Sequence, residues 1–174
     1  MDAPTIIKER LEAYGMRLRE VMEDVTDEDL TIQPGPNDNP MGWLIWHMTR
    51  FEDRTFSFLG GTQELWIEGK WHERFSMEPD PECTGVGFTL EQVLALEVSK
   101  DALMGYFEAA REKTLACLSS LSAADLDREE IDFASKKPMK LGLVLGRYLG
   151  DHISHIGQIC YLRGHIAGWG RYPT

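Results

Sequence analysis

Residues 141–166 read LGLVLGRYLGDHISHIGQICYLRGHI. Leu141, Leu145, Tyr148, His152, His155, Ile159, Leu162 and Ile166 recur at three- and four-residue steps, the spacing that lines one face of an α-helix. The pattern predicts a helix from about Met139 to Ile166, followed by Gly168 and Gly170. Its inward sector is not purely apolar. At about 100° per residue, Asp151 and His155 fall on one face, and His152 lies in the same broad sector. A buried carboxylate without a partner costs on the order of several kcal/mol, so something must compensate it. A divalent cation held by ligands four residues apart is one answer. The other is a local network in which Asp151 pairs with Arg147 or Arg54 and His152 stays half-exposed.

Working outward, three more helical patterns appear. Ile7, Leu11, Tyr14, Leu18, Met22 and Val25 give an apolar face to a helix over about Thr5 to Asp24. Thr26-Asp27-Glu28-Asp29 resembles a cap opening a short turn, and the Pro/Gly/Asn-rich run at 33–38 breaks the chain. Asn39 as N-cap with Pro40 at the first helical position starts a second long helix. Leu44, Met48, Phe51, Thr55 and Phe58 form its inward stripe, and Gly60-Gly61 ends it. A third helix is expected after Thr89, its stripe of Leu96, Leu103, Phe107, Ala110, Cys117 and Leu121 running for about thirty residues. No segment reads as a convincing strand. The expected architecture is therefore an all-α four-helix bundle, in one domain over residues 1–174, with a long aromatic-bearing connection at 62–88 between helices two and three. Loops of that length inside a compact domain are often functional.

Helix two supplies a further polar group to the interior. His47 lies three residues after Leu44 and four before Phe51. Alone it reads as a core histidine with one backbone partner. Beside an acid and two imidazoles on another helix, it reads as the third ligand of a metal site of the kind bundles build from facing helices. Two or three histidines and a carboxylate suit zinc, nickel, iron or manganese. His72 reads as a surface residue, His165 as a cation near a helix C-terminus, and Trp43, Trp46, Trp66 and Trp71 as core or pocket wall. P-loop, Rossmann and HExxH motifs are absent.

The bulk numbers bound the partners. The chain has 174 residues, 43% of them hydrophobic, and a net charge of −11. That acidic balance argues against nucleic acid and against anionic membranes. The three cysteines, Cys83, Cys117 and Cys160, form no CxxC pair, which fits a reducing compartment. With no visible signal peptide and no apolar run long enough to span a bilayer, the expectation is a soluble cytoplasmic protein acting on a small-molecule substrate.

The segment Gly42-Trp-Leu-Ile-Trp-His47-Met-Thr-Arg50-Phe-Glu-Asp53 resembles the second helix of the DinB-like superfamily. Asp151-His-Ile-Ser-His155-Ile-Gly157-Gln158, with Tyr161-Leu-Arg163-Gly164, resembles its last bundle helix. Trp71-His-Glu-Arg74-Phe75 is similar to a stretch in its actinobacterial-type branch of uncharacterised or mycothiol-linked members. The resemblance implies a four-helix bundle, commonly a homodimer, with one divalent metal, zinc foremost, held by His47, Asp151 and His155. It implies a thiol-dependent S-transferase or isomerase that uses a low-molecular-weight thiol such as mycothiol, bacillithiol or glutathione. His152 would then be a proton-transfer group or an alternative ligand. Arg50, Arg54 and Arg163 are candidates to hold a carboxylate of thiol or substrate. Two other readings share these ligands: a hydrolase using a metal-activated water, and a non-enzymatic bundle that binds a metal or a small molecule.

Overall fold

The computed structural model describes residues 2–132 and 135–168. Four long helices dominate it. Helix α1 (Ala3–Met22) is started by the Asp2 carboxylate, which accepts from the Thr5 amide, and buries Ile7, Leu11, Leu18 and Met22. A Thr26/Asp29 capping box then opens α2 (Asp27–Thr31), as the spacing predicts.

Helix α3 (Met41–Gly60) begins one residue later than expected, because Pro40 rather than Asn39 occupies the cap position. Gly61, at φ 62°, ends it in the left-handed conformation that glycine adopts without strain. This helix is buried on every side: from Met41 to Ser57 only Phe51 is not fully covered. Phe58, expected to point inward, is instead 45% exposed.

A buried helix with polar side chains must find partners for them. Arg50 donates to the Tyr106 hydroxyl (3.0 Å), Glu64 (2.9 Å) and the carbonyls of Cys83 and Pro81. Asp53 accepts from the amides of Leu65 and Trp66, from Ser57 and from the Tyr106 hydroxyl. These bonds fasten the 62–88 connection to α3. That connection is more ordered than its composition suggests, for it folds into α4 (Leu65–Glu68) and α5 (Trp71–Arg74).

The expected thirty-residue helix is two helices. A Thr89/Gln92 capping box opens α6 (Leu90–Leu94), and a new helix, α7 (Lys100–Ser120), starts where the Ser99 side chain accepts from the Ala102 amide. The second cap restarts the chain in a new direction, which an apolar stripe alone does not reveal. After a 3₁₀ turn (Ala123–Asp127), β1 (Glu129–Asp132) and β2 (Lys137–Lys140) pair antiparallel. The hairpin escapes sequence reading because its strands are short and mostly charged, with Glu129 set opposite Lys140 rather than apolar residues in alternation. Helix α8 (Leu141–Ala167) matches the expected span. Gly168 caps its end, while Gly170 lies outside the described residues.

Helix α3 packs on α7 and α8, and α1 packs on the same two. The core forms two apolar clusters. One holds Leu18, Met48, Phe107 and Ile156, and the other Leu11, Phe56, Leu118 and Tyr148. Along three of the four helices a polar residue falls between the clusters: Glu52 on α3, Arg111 on α7 and His152 on α8. Arg111 makes two bonds to Glu52 (2.7 and 3.0 Å), donates to His152 Nε2 (2.8 Å) and donates to the Leu11 carbonyl of α1. The layer thus ties all four long helices together. Burial alone would raise the Glu52 carboxyl, but Arg111 outweighs it and holds the group below its usual range.

Because Arg111 donates to Nε2, His152 carries its proton on Nδ1, which lies 3.4 Å from the Tyr148 hydroxyl. Burial lowers its pKa from 6.5 to about 4; Glu52 opposes that shift and Arg111 adds to it. Between these values the unfolded chain binds a proton that the folded chain refuses, so stability rises with pH across that window and is lost as pH falls. We expect the parent to lose about 2 to 3 kcal/mol more than a His152→Gln variant between pH 7 and 4.5, at 1.36 kcal/mol per unit. Urea unfolding at the two pH values measures this, and parallel losses in the two proteins would contradict the assignment.

Candidate metal centre

One helical turn brings Asp151 and His155 together, and the packing of α3 on α8 adds His47. One ligand atom from each of the three lies within 4.8 Å of the others. His155 Nε2 is 3.5 Å from Asp151 Oδ1. The rings of His47 and His155 meet edge to face, with centroids 5.0 Å apart. Ligands around one ion at about 2.1 Å stand roughly 3.4 Å from each other, so the three atoms are close to a chelating arrangement.

The outer nitrogen of each imidazole is already engaged. His47 Nδ1 meets the Thr84 carbonyl, and His155 Nδ1 meets Gln158 Oε1 at 2.7 Å. An oxygen acceptor fixes the proton on Nδ1 and leaves the Nε2 lone pair facing inward, as in metal-ligating histidines. Trp43 stacks on the His47 ring at 4.8 Å and 6° between planes, which limits its rotation. His47 is buried, whereas the side chains of Asp151 and His155 are 34% and 16% exposed. The centre therefore has a protein side and an open side.

The three groups also act on one another electrostatically. Burial lowers the His47 pKa; the Thr84 carbonyl works against that and His155 adds to it. For Asp151 burial acts upward, but the hydrogen bond and charge of His155 prevail and lower the carboxyl. His155 is raised despite burial, through Asp151 and Gln158. Two imidazole nitrogens and an ionised carboxylate on two rigid helices form a donor set that fits a divalent ion.

His152, considered as a ligand or proton carrier, faces the other way and is fully occupied by the Arg111 layer. One residue further along the helix is enough to turn it from Asp151's side toward α7. The alternative network around Asp151 is also not formed, since Arg147 bonds Asp132 (2.6 Å) and Arg54 bonds the Pro81 carbonyl and Glu82. The arginines considered for substrate carboxylates have other work. Arg50 is wholly buried in the α3 network, Arg54 braces the 81–82 loop, and Arg163 reaches Asp24 at 3.2 Å. Sequence reading missed Thr84, which acts through its backbone and leaves no side-chain signal. It also missed Gln158, although its i+3 spacing from His155 was visible.

Comparison with known proteins bears on the whole chain. A sequence profile described as the DinB superfamily matches residues 10–159. A crystal structure of a conserved protein from Enterococcus faecalis superposes with a TM-score of 0.82 at 23% identity, covering 96% of this chain and 98% of that one. A DinB-like protein from Bacillus cereus superposes with a TM-score of 0.65 at 16% identity, covering 97% and 95%. No curated protein matches the chain. Among the described residues no helix is long and apolar enough to cross a membrane.

The geometry separates the histidines by experiment. His47→Ala and His155→Ala are each expected to lower bound zinc at least about tenfold, since a lost ligand removes most of a site's affinity. His152→Gln is expected to keep near-parental occupancy. Elemental analysis after zinc loading and desalting reads both, and metal loss in His152→Gln without loss in His155→Ala would reverse the ligand assignment.

Proposed function

The chain belongs to the DinB superfamily, and from that premise we propose that it is a metal-dependent enzyme activating a low-molecular-weight thiol for S-transfer or isomerisation. The observation that carries the proposal is the three-sided donor set of His47, Asp151 and His155, closed on the Trp43 side and open on the side where Asp151 and His155 reach the surface. Three protein ligands leave a position for an exogenous group, the hallmark of a catalytic rather than a structural site. Zinc is the proposed ion, and nickel, iron and manganese suit the same donors.

A divalent cation held there supplies Lewis acidity that favours the thiolate over the thiol near neutral pH. The residues do the rest. Thr84 and Gln158 hold the two imidazoles with Nε2 inward, Trp43 keeps the His47 ring from turning, and Asp151 contributes a negative charge that offsets the cation.

A hydrolytic reaction is less well served. It is helped by a general base near the attacking water, yet two carboxylates on the helices that form the centre are committed. Asp151 belongs to the donor set, and Glu52 is sealed in the interior with Arg111. A thiol makes the smaller demand on a base, because its free pKa of about 8.5 already lies far below that of water before the cation lowers it further. This chemistry favours thiol over water as the exogenous group.

Cobalt substitution gives a direct reading. On adding 2-mercaptoethanol, the cobalt-loaded protein is expected to develop the near-ultraviolet absorption of a thiolate bound to cobalt, and His155→Ala is expected not to. Full cobalt occupancy with no spectral response to thiol would overturn the thiol reading and leave the metal site standing.

A further inference from the structure

A cleft of about 670 Å³ opens between the α2–α3 loop and the exposed side of α8, within the size range of small-molecule sites. Two of its lining residues lie one helical turn from candidate metal ligands. On α8 its lining includes Gln158, the residue that holds His155 Nδ1. On α3 it includes Leu44, one helical turn before His47. A molecule lying in the cleft would therefore sit one turn from two of the three ligands.

The lining is informative in its charge. The loop contributes Asn37, Asp38 and Asn39, and α8 adds Gln158 and the largely exposed ring of Tyr161. Among the described residues no lysine or arginine lines the cleft, Asp38 is its one carboxylate, and His165 is the single lining group able to become cationic. Asn37 and Asn39 offer paired donors and acceptors and Gln158 its amide N–H groups, which match hydroxyls and amides in a ligand. Among these described residues a ligand carboxylate would meet no fixed positive charge, and it would face Asp38 on a chain of net charge −11. The arginines that might have served are all engaged elsewhere, as described above.

We infer that this cleft binds the uncharged, hydroxyl- or amide-bearing part of the substrate and selects neutral thiols over anionic ones. The inference rests on the metal-centre reading for the placement of the reactive end, but not for the charge selection itself.

The test uses N-acetyl-L-cysteinamide and N-acetyl-L-cysteine, two thiols of nearly equal size that differ by one negative charge. Each is titrated at pH 8 into zinc-loaded and metal-free protein, with the backbone and side-chain amide resonances followed by NMR. The amide form is expected to bind at least about fivefold more tightly, as an unscreened like charge at close range implies, and to shift the signals of Asn39 and Gln158. Asp38→Lys, an exposed substitution, is expected to bring the two affinities within about twofold. Equal or tighter binding of the acid, or shifts that bypass Asn39 and Gln158, or no shift with either thiol, would overturn the inference. If the protein takes up no metal yet shows the same charge preference in the cleft, the selection stands and the proposed metal chemistry falls.

Discussion

Glu52 and Arg111 meet in the interior with side chains that are essentially unexposed, and that meeting constrains the rest of the bundle. An ion pair so placed gives little net stability, because desolvation offsets its attraction. Its effect is to make alternatives costly, since separating the two groups would leave an uncompensated charge inside the protein. Arg111 also holds the Leu11 carbonyl and His152, so a single guanidinium fixes α1, α3, α7 and α8 in one register. A slip of one residue in α3 would rotate Glu52 by about 100° and break the layer. It would carry His47 away from Asp151 and His155 by the same rotation. The metal centre, which lies on the neighbouring face of the same helices, inherits its alignment from the buried pair.

A second polar knot does for the loops what the first does for the helices. Arg50 and Asp53 leave α3 at successive turns and bind the backbone of residues 65–66 and of the 81–83 segment. A loop held this way presents the Thr84 carbonyl to His47. The two knots share a logic: charged groups on the most buried helix organise whatever must pack around it, because each demands a specific partner. Apolar contacts supply the bulk of the cohesion but would tolerate more than one arrangement.

The long helices were legible because their apolar periodicities are strong. Capping signals at Thr26 and Thr89 were legible for the same local reason. What escaped the sequence is non-local or weakly patterned. The break between Leu94 and Lys100 depends on a cap at Ser99 whose effect competes with an uninterrupted apolar stripe. The Glu129–Lys140 hairpin is built from charges facing charges. At the site, Asp151 and His155 announced themselves by spacing, and His47 by its place on an apolar face. The role of His152 could not be told from that of Asp151 until the position of Arg111, 41 residues away, was known. The partners of the arginines were not legible, because a basic residue on an amphipathic helix looks the same in sequence whether it meets a substrate or a loop carbonyl.

The ligands of the metal centre are far apart along the chain. His47 comes from the first third, its Thr84 support follows 37 residues later, and Asp151 and His155 come from the last helix. During synthesis the N-terminal part emerges first, and none of its segments can by itself assemble the chelating group. The candidate centre forms only when α8 docks on α3, so its three donors report a contact between distant parts of the chain. A chain truncated before Asp151 would keep His47 and its Thr84 support but lack the other two donors, so ion uptake would distinguish chains with α8 in place from those without it.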